Sequence, residues 1–101
     1  MKNITLVCAA GMSTSMLMLK MKESAKQQGL EVNIIAMSEA SFKAYNGKSD
    51  IILLGPQVSF LYDDMKVECE PKGIKVAIID MMDYGMMNGS KVLNDALKLI
   101  N

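Results

Sequence analysis

The sequence LVCAAGMSTS, residues 6–15, predicts more about this chain than any other segment. An apolar run, Ile4 to Val7, leads into Cys8, and small or flexible residues follow the cysteine. From Met16 to Gln28 the sequence has helical character. The pattern therefore predicts a strand, a tight loop and a helix, with the thiol of Cys8 at the C-terminal end of the strand.

The predicted loop, Ala9 to Ser15, has the properties of an anion-binding site. Small residues allow backbone N–H groups to turn towards one point, and a helix N-terminus adds unpaired donors and a positive partial charge. A phosphoryl group is the tetrahedral anion that suits such a site. The same field favours the thiolate of Cys8, which would be a nucleophile for phosphorus. The residues predicted to bind phosphate are Ala9, Ala10, Gly11, Met12, Ser13, Thr14 and Ser15.

The two cysteines have different surroundings in the sequence. A cysteine at the end of a buried strand can serve only as a small apolar residue, and this is the alternative for Cys8. The loop that follows Cys8 has too little bulk to form a core, which favours the nucleophile. Cys69 lies between Glu68 and Glu70, and neighbouring acidic groups disfavour a thiolate. Cys69 is therefore predicted to be structural.

Composition excludes several classes of function. A length of 101 residues suits a single domain, residues 1–101. Eleven basic and eleven acidic residues give no net charge, which argues against nucleic-acid binding. The sequence contains no histidine, so histidine acid–base catalysis, histidine metal sites and Cys–His dyads are excluded. We expect no metal and no organic cofactor.

The remaining composition predicts a cytosolic protein. No apolar stretch approaches the roughly 20 residues needed to span a bilayer. No charged segment followed by an apolar segment and a cleavage site is present, so a signal peptide is not expected. Two cysteines are typical of reduced cytosolic thiols and not of a disulfide framework.

Apolar runs that alternate with helical segments predict an α/β fold. The predicted strands are Ile4–Val7, Val32–Met37, Ile51–Leu54 and Ile74–Ile79. Helices are expected from Met16 to Gln28, from Glu39 to about Tyr45, from Pro56 to about Cys69 and from Ser90 to Ile100, with turns at Asn46-Gly47 and a loop from Asp80 to Gly89. Ser13 or Thr14 is expected to cap the first helix, and Gly29 to end it. This alternation predicts a four-stranded parallel open sheet with helices on both faces.

The position of the site follows from the strand order. In open α/β sheets the ligand lies beyond the C-terminal strand ends, where the strand order reverses. The order 2-1-3-4 would place that point between the first and third strands. Gly55-Pro56-Gln57 would then lie beside Cys8, and Asp80–Gly85 would meet them.

Three segments give the chain a resemblance to a known family. They are Cys-Ala-Ala-Gly-Met-Ser-Thr-Ser from Cys8, Leu-Leu-Gly-Pro-Gln-Val from Leu53, and Ile-Asp-x-x-x-Tyr-Gly from Ile79. In order and spacing the chain resembles the lactose/cellobiose-type IIB components of the bacterial phosphoenolpyruvate-dependent sugar phosphotransferase system. The resemblance also implies a fold similar to that of the low-molecular-weight tyrosine phosphatases.

The resemblance implies a cytosolic phosphocarrier and phosphotransferase. Cys8 matches the phosphorylated cysteine and would accept a phosphoryl group from a phosphohistidine on the IIA partner. It would pass the group to a β-linked di- or oligosaccharide, of the lactose, cellobiose or chitobiose type, carried by the membrane IIC partner. Residues 9–15 match the phosphate-binding loop.

The phosphatases supply the main enzymatic alternative. Their signature needs a cysteine, five residues, an arginine and then Ser or Thr, and here Thr14 stands in the place of the arginine. Arginine would bind two phosphoryl oxygens, so its absence favours transfer over hydrolysis. Asp83 falls in the loop where these enzymes carry an acidic proton donor. A phosphatase or arsenate reductase, and a non-catalytic phosphate- or nucleotide-binding module, remain open.

Side chains from three loops are candidates for the rim of the site. Methionines suit a surface that meets two partners in turn, although these loops could simply fold over the core. The methionines in question are Met12, Met81, Met82, Met86 and Met87. Gln57 is a candidate donor to phosphoryl oxygens, Tyr84 either lines the rim or packs, and Asp80 is a candidate cap. The predicted rim residues are Pro56, Gln57, Met82, Asp83 and Tyr84.

Overall fold

A four-stranded parallel sheet forms the centre of the molecule. The computed structural model describes residues 1–9, 11–45 and 47–100, with the backbone alone at residues 11–13. The strands are β1 (Lys2–Cys8), β2 (Val32–Ser38), β3 (Ile51–Leu54) and β4 (Lys75–Ile78), and their order is β2-β1-β3-β4. Every neighbouring pair is parallel. The predicted α/β fold and the order 2-1-3-4 are confirmed.

Helices cover both faces of the sheet, and two short 3₁₀ turns (Pro56–Leu61 and Glu70–Lys72) flank one of them. The helices are α1 (Gly11–Gln28), α2 (Glu39–Lys43), α3 (Tyr62–Cys69), α4 (Met81–Gly85) and α5 (Gly89–Ile100). In the described part of the chain, no helix is both long and apolar enough to cross a membrane.

Alternating side chains on the two inner strands divide the core in two. Ile51 and Leu53 of β3 face a core formed with α1 and α5, whereas Ile52 and Leu54 face a core formed with α3 and the 3₁₀ turn before it. All four side chains are buried, as expected for a parallel strand that is covered on both faces. The apolar run Ile51–Leu54 therefore predicts β3 at its observed bounds.

The start of α1 differs from the prediction. The helix begins at Gly11, so most of the predicted loop Ala9–Ser15 forms its first turn, and neither Ser13 nor Thr14 is the cap. The buried stripe of the helix explains the difference, because Thr14 already belongs to it, with Leu17 and Met21 three and seven residues later. Met16 and Leu19 lie outside this stripe and are exposed. Gly29 ends the helix as predicted, with φ +68°.

The prediction of a loop over Asp80–Gly89 is also wrong, because this segment contains α4. Asp80 caps this helix: its carboxylate accepts hydrogen bonds from the N–H groups of Met82 and Asp83, each at 3.1 Å. The predicted third helix is a 3₁₀ turn followed by α3, since Val58 has non-helical backbone angles. The predicted turn at Asn46-Gly47 lies partly outside the described residues, because Asn46 is not among them.

Gly89 permits a close approach between α5 and α1. A Cβ atom added at Gly89 would lie 2.5 Å from the carbonyl carbon of Lys20 and 2.6 Å from the amide nitrogen of Met21. These are backbone atoms, so neither can rotate away. Gly89→Ala is expected to destabilise the protein by about 1–3 kcal/mol through overpacking.

Urea denaturation of Gly89→Ala and Gly85→Ala measures this effect. Gly85 is the control, because a Cβ there would have no heavy atom within 4 Å. The control should stay within about 0.5 kcal/mol of the wild type. Equal denaturation midpoints for the wild type and Gly89→Ala would contradict the close contact.

Candidate functional site

Cys8 is the last residue of β1, and β1 lies between β2 and β3 in the sheet. It is level with Ser38 of β2, and its side chain is 2% exposed. The thiol Sγ donates towards the carbonyl oxygen of Met37 at 3.7 Å. The sheet thus places the sulfur at its C-terminal edge, at the point where the strand order reverses.

The end of β3 lies against Cys8, as predicted. The N–H of Gly55 donates to the carbonyl oxygen of Val7 at 2.9 Å. A Cβ at Gly55 would lie 3.8 Å from the Cβ of Cys8 and 3.2 Å from Oε1 of Gln57. Pro56 is half-buried at the start of the 3₁₀ turn, and Gln57 is exposed beside it. Glycine therefore leaves room for both the cysteine and the glutamine side chain.

Helix α1 begins three residues after Cys8, at Gly11. The first four N–H groups of an α-helix have no acceptor within the helix, and the aligned peptide dipoles give this end a positive partial charge. The predicted phosphate-binding residues Gly11 to Thr14 occupy this first turn. Ala9 is exposed, Ala10 lies outside the described residues, and Ser15 is exposed on the second turn of the helix.

A buried hydroxyl pair joins the first turn of α1 to α4. Oγ1 of Thr14 and the hydroxyl oxygen of Tyr84 are 3.2 Å apart, and either can be the donor. The two residues are 0% and 8% exposed. Of the two roles considered for Tyr84, the structure shows packing, with the hydroxyl directed at the start of α1. The segment that begins at Asp80, predicted to meet the other two loops, therefore does reach the site through Tyr84.

The carboxylate of Asp83 is engaged in an ion pair. Its Oδ2 accepts a hydrogen bond from Nζ of Lys91 at 2.8 Å, and Lys91 also donates to Asp95 at 3.0 Å. These two hydrogen bonds raise the pKa of Lys91 above its usual range. Asp83 is buried, so the ion pair links α4 to α5. The sequence suggests an acid role for Asp83 but does not indicate Lys91 as its partner.

Exposed apolar side chains are present on two segments near this end of the sheet. Met81, Met82 and Met86 are 75%, 72% and 72% exposed. Met87 was predicted to join them, but it packs against the core. The side chain of Met12 lies outside the described residues. Phe60, which no sequence pattern indicates, is 73% exposed and lines a groove that also includes Ala9 and Ser38.

Cys69 differs from Cys8 in its surroundings. It is 5% exposed at the end of α3, in the core that includes Leu54, Val58 and Met65. Burial raises the pKa of the Cys69 thiol, and the negative charge of Glu68 raises it further. The structure agrees with the prediction that Cys69 is structural. Among the described residues, no group of three or more Cys, Asp or Glu side chains is arranged to hold a metal ion.

The sequence model of the family described as "PTS system, Lactose/Cellobiose specific IIB subunit" matches residues 3–95. The chain belongs to this family. It is 45% identical over 100 residues to the oligo-beta-mannoside-specific EIIB component of the PTS of Bacillus subtilis, and the match covers 99% of this chain and 97% of that one.

A solved structure of another IIB protein has the same fold. It is the cellobiose-specific phosphotransferase IIB component of Borrelia burgdorferi, with a TM-score of 0.79 and 41% sequence identity. The superposition covers 99% of this chain and 92% of that chain. The fold and the family that the three sequence segments predicted are thus confirmed together.

One relative has a different architecture. The lactose-specific EIICB component of Streptococcus mutans is 29% identical over 82 residues, which cover 81% of this chain and 14% of that protein. Members of the IIB family are components of a phosphotransferase system, which is consistent with transferase activity. The match to an EIICB component is consistent with a IIC partner.

Proposed function

We propose that this IIB chain is a cytosolic phosphocarrier domain, a protein-phosphocysteine–sugar phosphotransferase in which Cys8 carries the phosphoryl group. One observation supports the proposal most: Cys8 ends the central strand β1 directly before the N-terminus of α1. A nucleophilic sulfur and a set of unpaired N–H donors therefore lie together at the switch point of the sheet.

In the first step, the thiolate of Cys8 attacks the phosphorus of a phosphohistidine on the IIA partner. The S–P bond forms, the P–N bond breaks in line with it, and the histidine nitrogen leaves with the bonding electron pair. Backbone N–H groups of the first turn of α1, residues 11–14, donate to the three equatorial oxygens. Catalysis then consists of positioning and electrostatic stabilisation by the protein itself.

In the second step, a hydroxyl oxygen of the sugar attacks the phosphorus of phosphocysteine. The O–P bond forms, the S–P bond breaks, and Cys8 leaves as a thiolate while the hydroxyl proton passes to a base on the sugar-binding partner or to water. A membrane IIC protein is the proposed carrier of the sugar, supported by the EIICB architecture of the S. mutans relative.

The substrate class is a β-linked di- or oligosaccharide. The relatives are named for different sugars: oligo-beta-mannoside, cellobiose and lactose. The matched part of each relative is nevertheless similar in sequence to this chain. A sugar pocket on the IIC partner would explain why similar IIB chains serve different sugars.

The exposed apolar residues near the site are proposed to contact the IIA and IIC partners in turn. Met82 lies on α4, the helix that also carries Tyr84. Phe60 lines the groove that includes Ala9. Burial of such large apolar side chains is a common source of affinity in protein interfaces. Flexible methionine side chains can adapt to two different partner surfaces.

Phosphorylation by a phosphorylated IIA protein, followed by mass spectrometry, tests the proposed function. Trypsin places Cys8 in the peptide of residues 3–20 and Cys69 in the peptide of residues 67–72. We expect one phosphoryl group on the first peptide, and fragmentation should assign it to Cys8 and not to Ser13, Thr14 or Ser15. A phosphoryl group on another residue, or none at all, would contradict the proposal.

A further inference from the structure

The buried hydroxyl pair between α1 and α4 has no role in the two steps described above. We propose that Tyr84 is a positioning residue: through Thr14, its hydroxyl holds the first turn of α1 in the orientation that binds the phosphoryl group. The proposal rests on the proposed function, because it assigns the first turn of α1 to phosphate binding.

The pair is a specific contact in an otherwise apolar setting. Oγ1 of Thr14 and the hydroxyl of Tyr84 are 3.2 Å apart across 70 residues of sequence. Both residues are buried, and the core around them includes Leu17 and Leu93. A buried hydroxyl is costly without a hydrogen-bond partner. Each hydroxyl therefore fixes the position of the other.

Helix α4 fixes Tyr84 firmly. The N–H of Tyr84 donates to the carbonyl oxygen of Asp80 at 2.9 Å, and the carboxylate of Asp80 caps the helix. The ion pair between Asp83 and Lys91 attaches α4 to α5, and the N–H of Asn88 donates to the carbonyl oxygen of Asp83 at 2.9 Å. The tyrosine hydroxyl is thus presented by a capped and anchored helix.

Thr14 connects Tyr84 to the N–H groups at the start of α1. It is the fourth residue of α1, in the turn whose N–H groups are unpaired within the helix. Its side chain points to Tyr84 and away from solvent, so it acts on the phosphoryl group through the backbone. Donors stabilise a transition state well only when they are already aimed at it, and small displacements reduce the rate strongly.

The variant Tyr84→Phe tests the proposal because it removes the hydroxyl and keeps the ring. With phosphorylated IIA as donor, we expect kcat to fall about tenfold or more, while KM for the donor stays the same since Tyr84 is buried. Thr14→Val should lower kcat similarly, and Thr14→Ser, which keeps a hydroxyl, should lower it less. The double variant Tyr84→Phe/Thr14→Val should be no slower than either single variant, because both remove one interaction.

Two further measurements separate positioning from folding and from the proposed function. Tyr62→Phe removes a hydroxyl on the opposite face of the sheet and should transfer at the wild-type rate. Titration with inorganic phosphate, followed by the amide NMR signals of residues 11–14, should show weaker binding to Tyr84→Phe and Thr14→Val than to the wild type. This readout does not depend on transfer.

The outcomes are distinct. Wild-type kcat in Tyr84→Phe, or additive losses in the double variant, would overturn the positioning role. If the wild type itself accepts no phosphoryl group, the proposed function fails. In that case the phosphate titration decides the positioning role, and equal phosphate affinity in the wild type and both single variants would overturn it.

Discussion

Replacing Cys8 with serine is expected to abolish phosphoryl acceptance from a phosphohistidine donor while the fold is retained. A serine hydroxyl is far less nucleophilic than a thiolate, and no histidine is present to activate it. Removal of a covalent nucleophile lowers a rate by about 10⁴-fold or more. The smaller serine fits the buried site, where the carbonyl oxygen of Met37 can accept its hydrogen bond.

Cys69→Ser is the matched control, because Cys69 is also buried but lies in the core under α3. It should transfer at the wild-type rate and lose about 1 kcal/mol of stability, since the hydroxyl is placed among apolar side chains. Transfer is measured with radiolabelled IIA donor, and stability by urea denaturation. Phosphate transfer to sugar by Cys8→Ser would refute the mechanism. A wild type that binds phosphate but never becomes phosphorylated would favour the non-catalytic binding module.

Strands were predictable because their burial leaves a clear mark in the sequence. β3 reads as Ile51–Leu54 without a polar interruption, since a parallel strand between two helical layers is apolar on both sides. Cys8 was identifiable because it ends such a run and small residues follow it. The contact between Gly55 and Cys8 followed from the strand order, which determines which strand ends are neighbours.

The helix boundaries at the site were less predictable. Gly11 and Ser13 are typical of loops, so α1 was expected to begin later than it does. Helix α4 is only five residues long and shows no apolar period. It depends on the cap by Asp80 and on the burial of Tyr84, and the latter is a tertiary contact that local propensity does not include.

The side-chain partners in the site were missed for the same reason. Thr14 and Tyr84 are 70 residues apart, and a sequence pattern does not show which way a side chain points. For Lys91, the partner of Asp83, the sequence holds only a partial indication. Lys91 lies four residues before Asp95, a spacing that predicts an ion pair on one helix, but its second bond to Asp83 required the packing of α4 on α5.

The phosphorylated protein is expected to resist hydrolysis, and this is the second large effect. Transfer and hydrolysis would share the same phosphocysteine and differ in what attacks it. Thr14 stands where the phosphatases carry arginine, and its side chain is buried against Tyr84, so position 14 supplies no bidentate cation to stabilise the attack of water. Loss of one such electrostatic donor typically lowers a rate by about 10²–10³-fold.

Asp83, the candidate proton donor for hydrolysis, is bound to another side chain. The carboxylate of Asp83 is 2.8 Å from Nζ of Lys91, so it is held in an ion pair with α5. Lys91→Gln would release the carboxylate of Asp83 and leave position 14 unchanged. If the missing cation at position 14 limits hydrolysis, this variant should remain as slow as the wild type towards p-nitrophenyl phosphate.

Thr14→Arg is therefore not expected to create a phosphatase. The longer side chain would have to enter the buried space between α1 and Tyr84, or α1 would have to shift, and overpacking of this kind costs about 1–3 kcal/mol.

The wild type should show little turnover of p-nitrophenyl phosphate, and ³¹P NMR should show a phosphocysteine signal that persists in buffer. The signal should disappear quickly when membranes containing the IIC partner and its sugar are added, because a positioned hydroxyl then replaces water as the attacking group. Efficient metal-free hydrolysis of aryl phosphates, without transfer from a phosphohistidine donor, would instead make the phosphatase the better assignment.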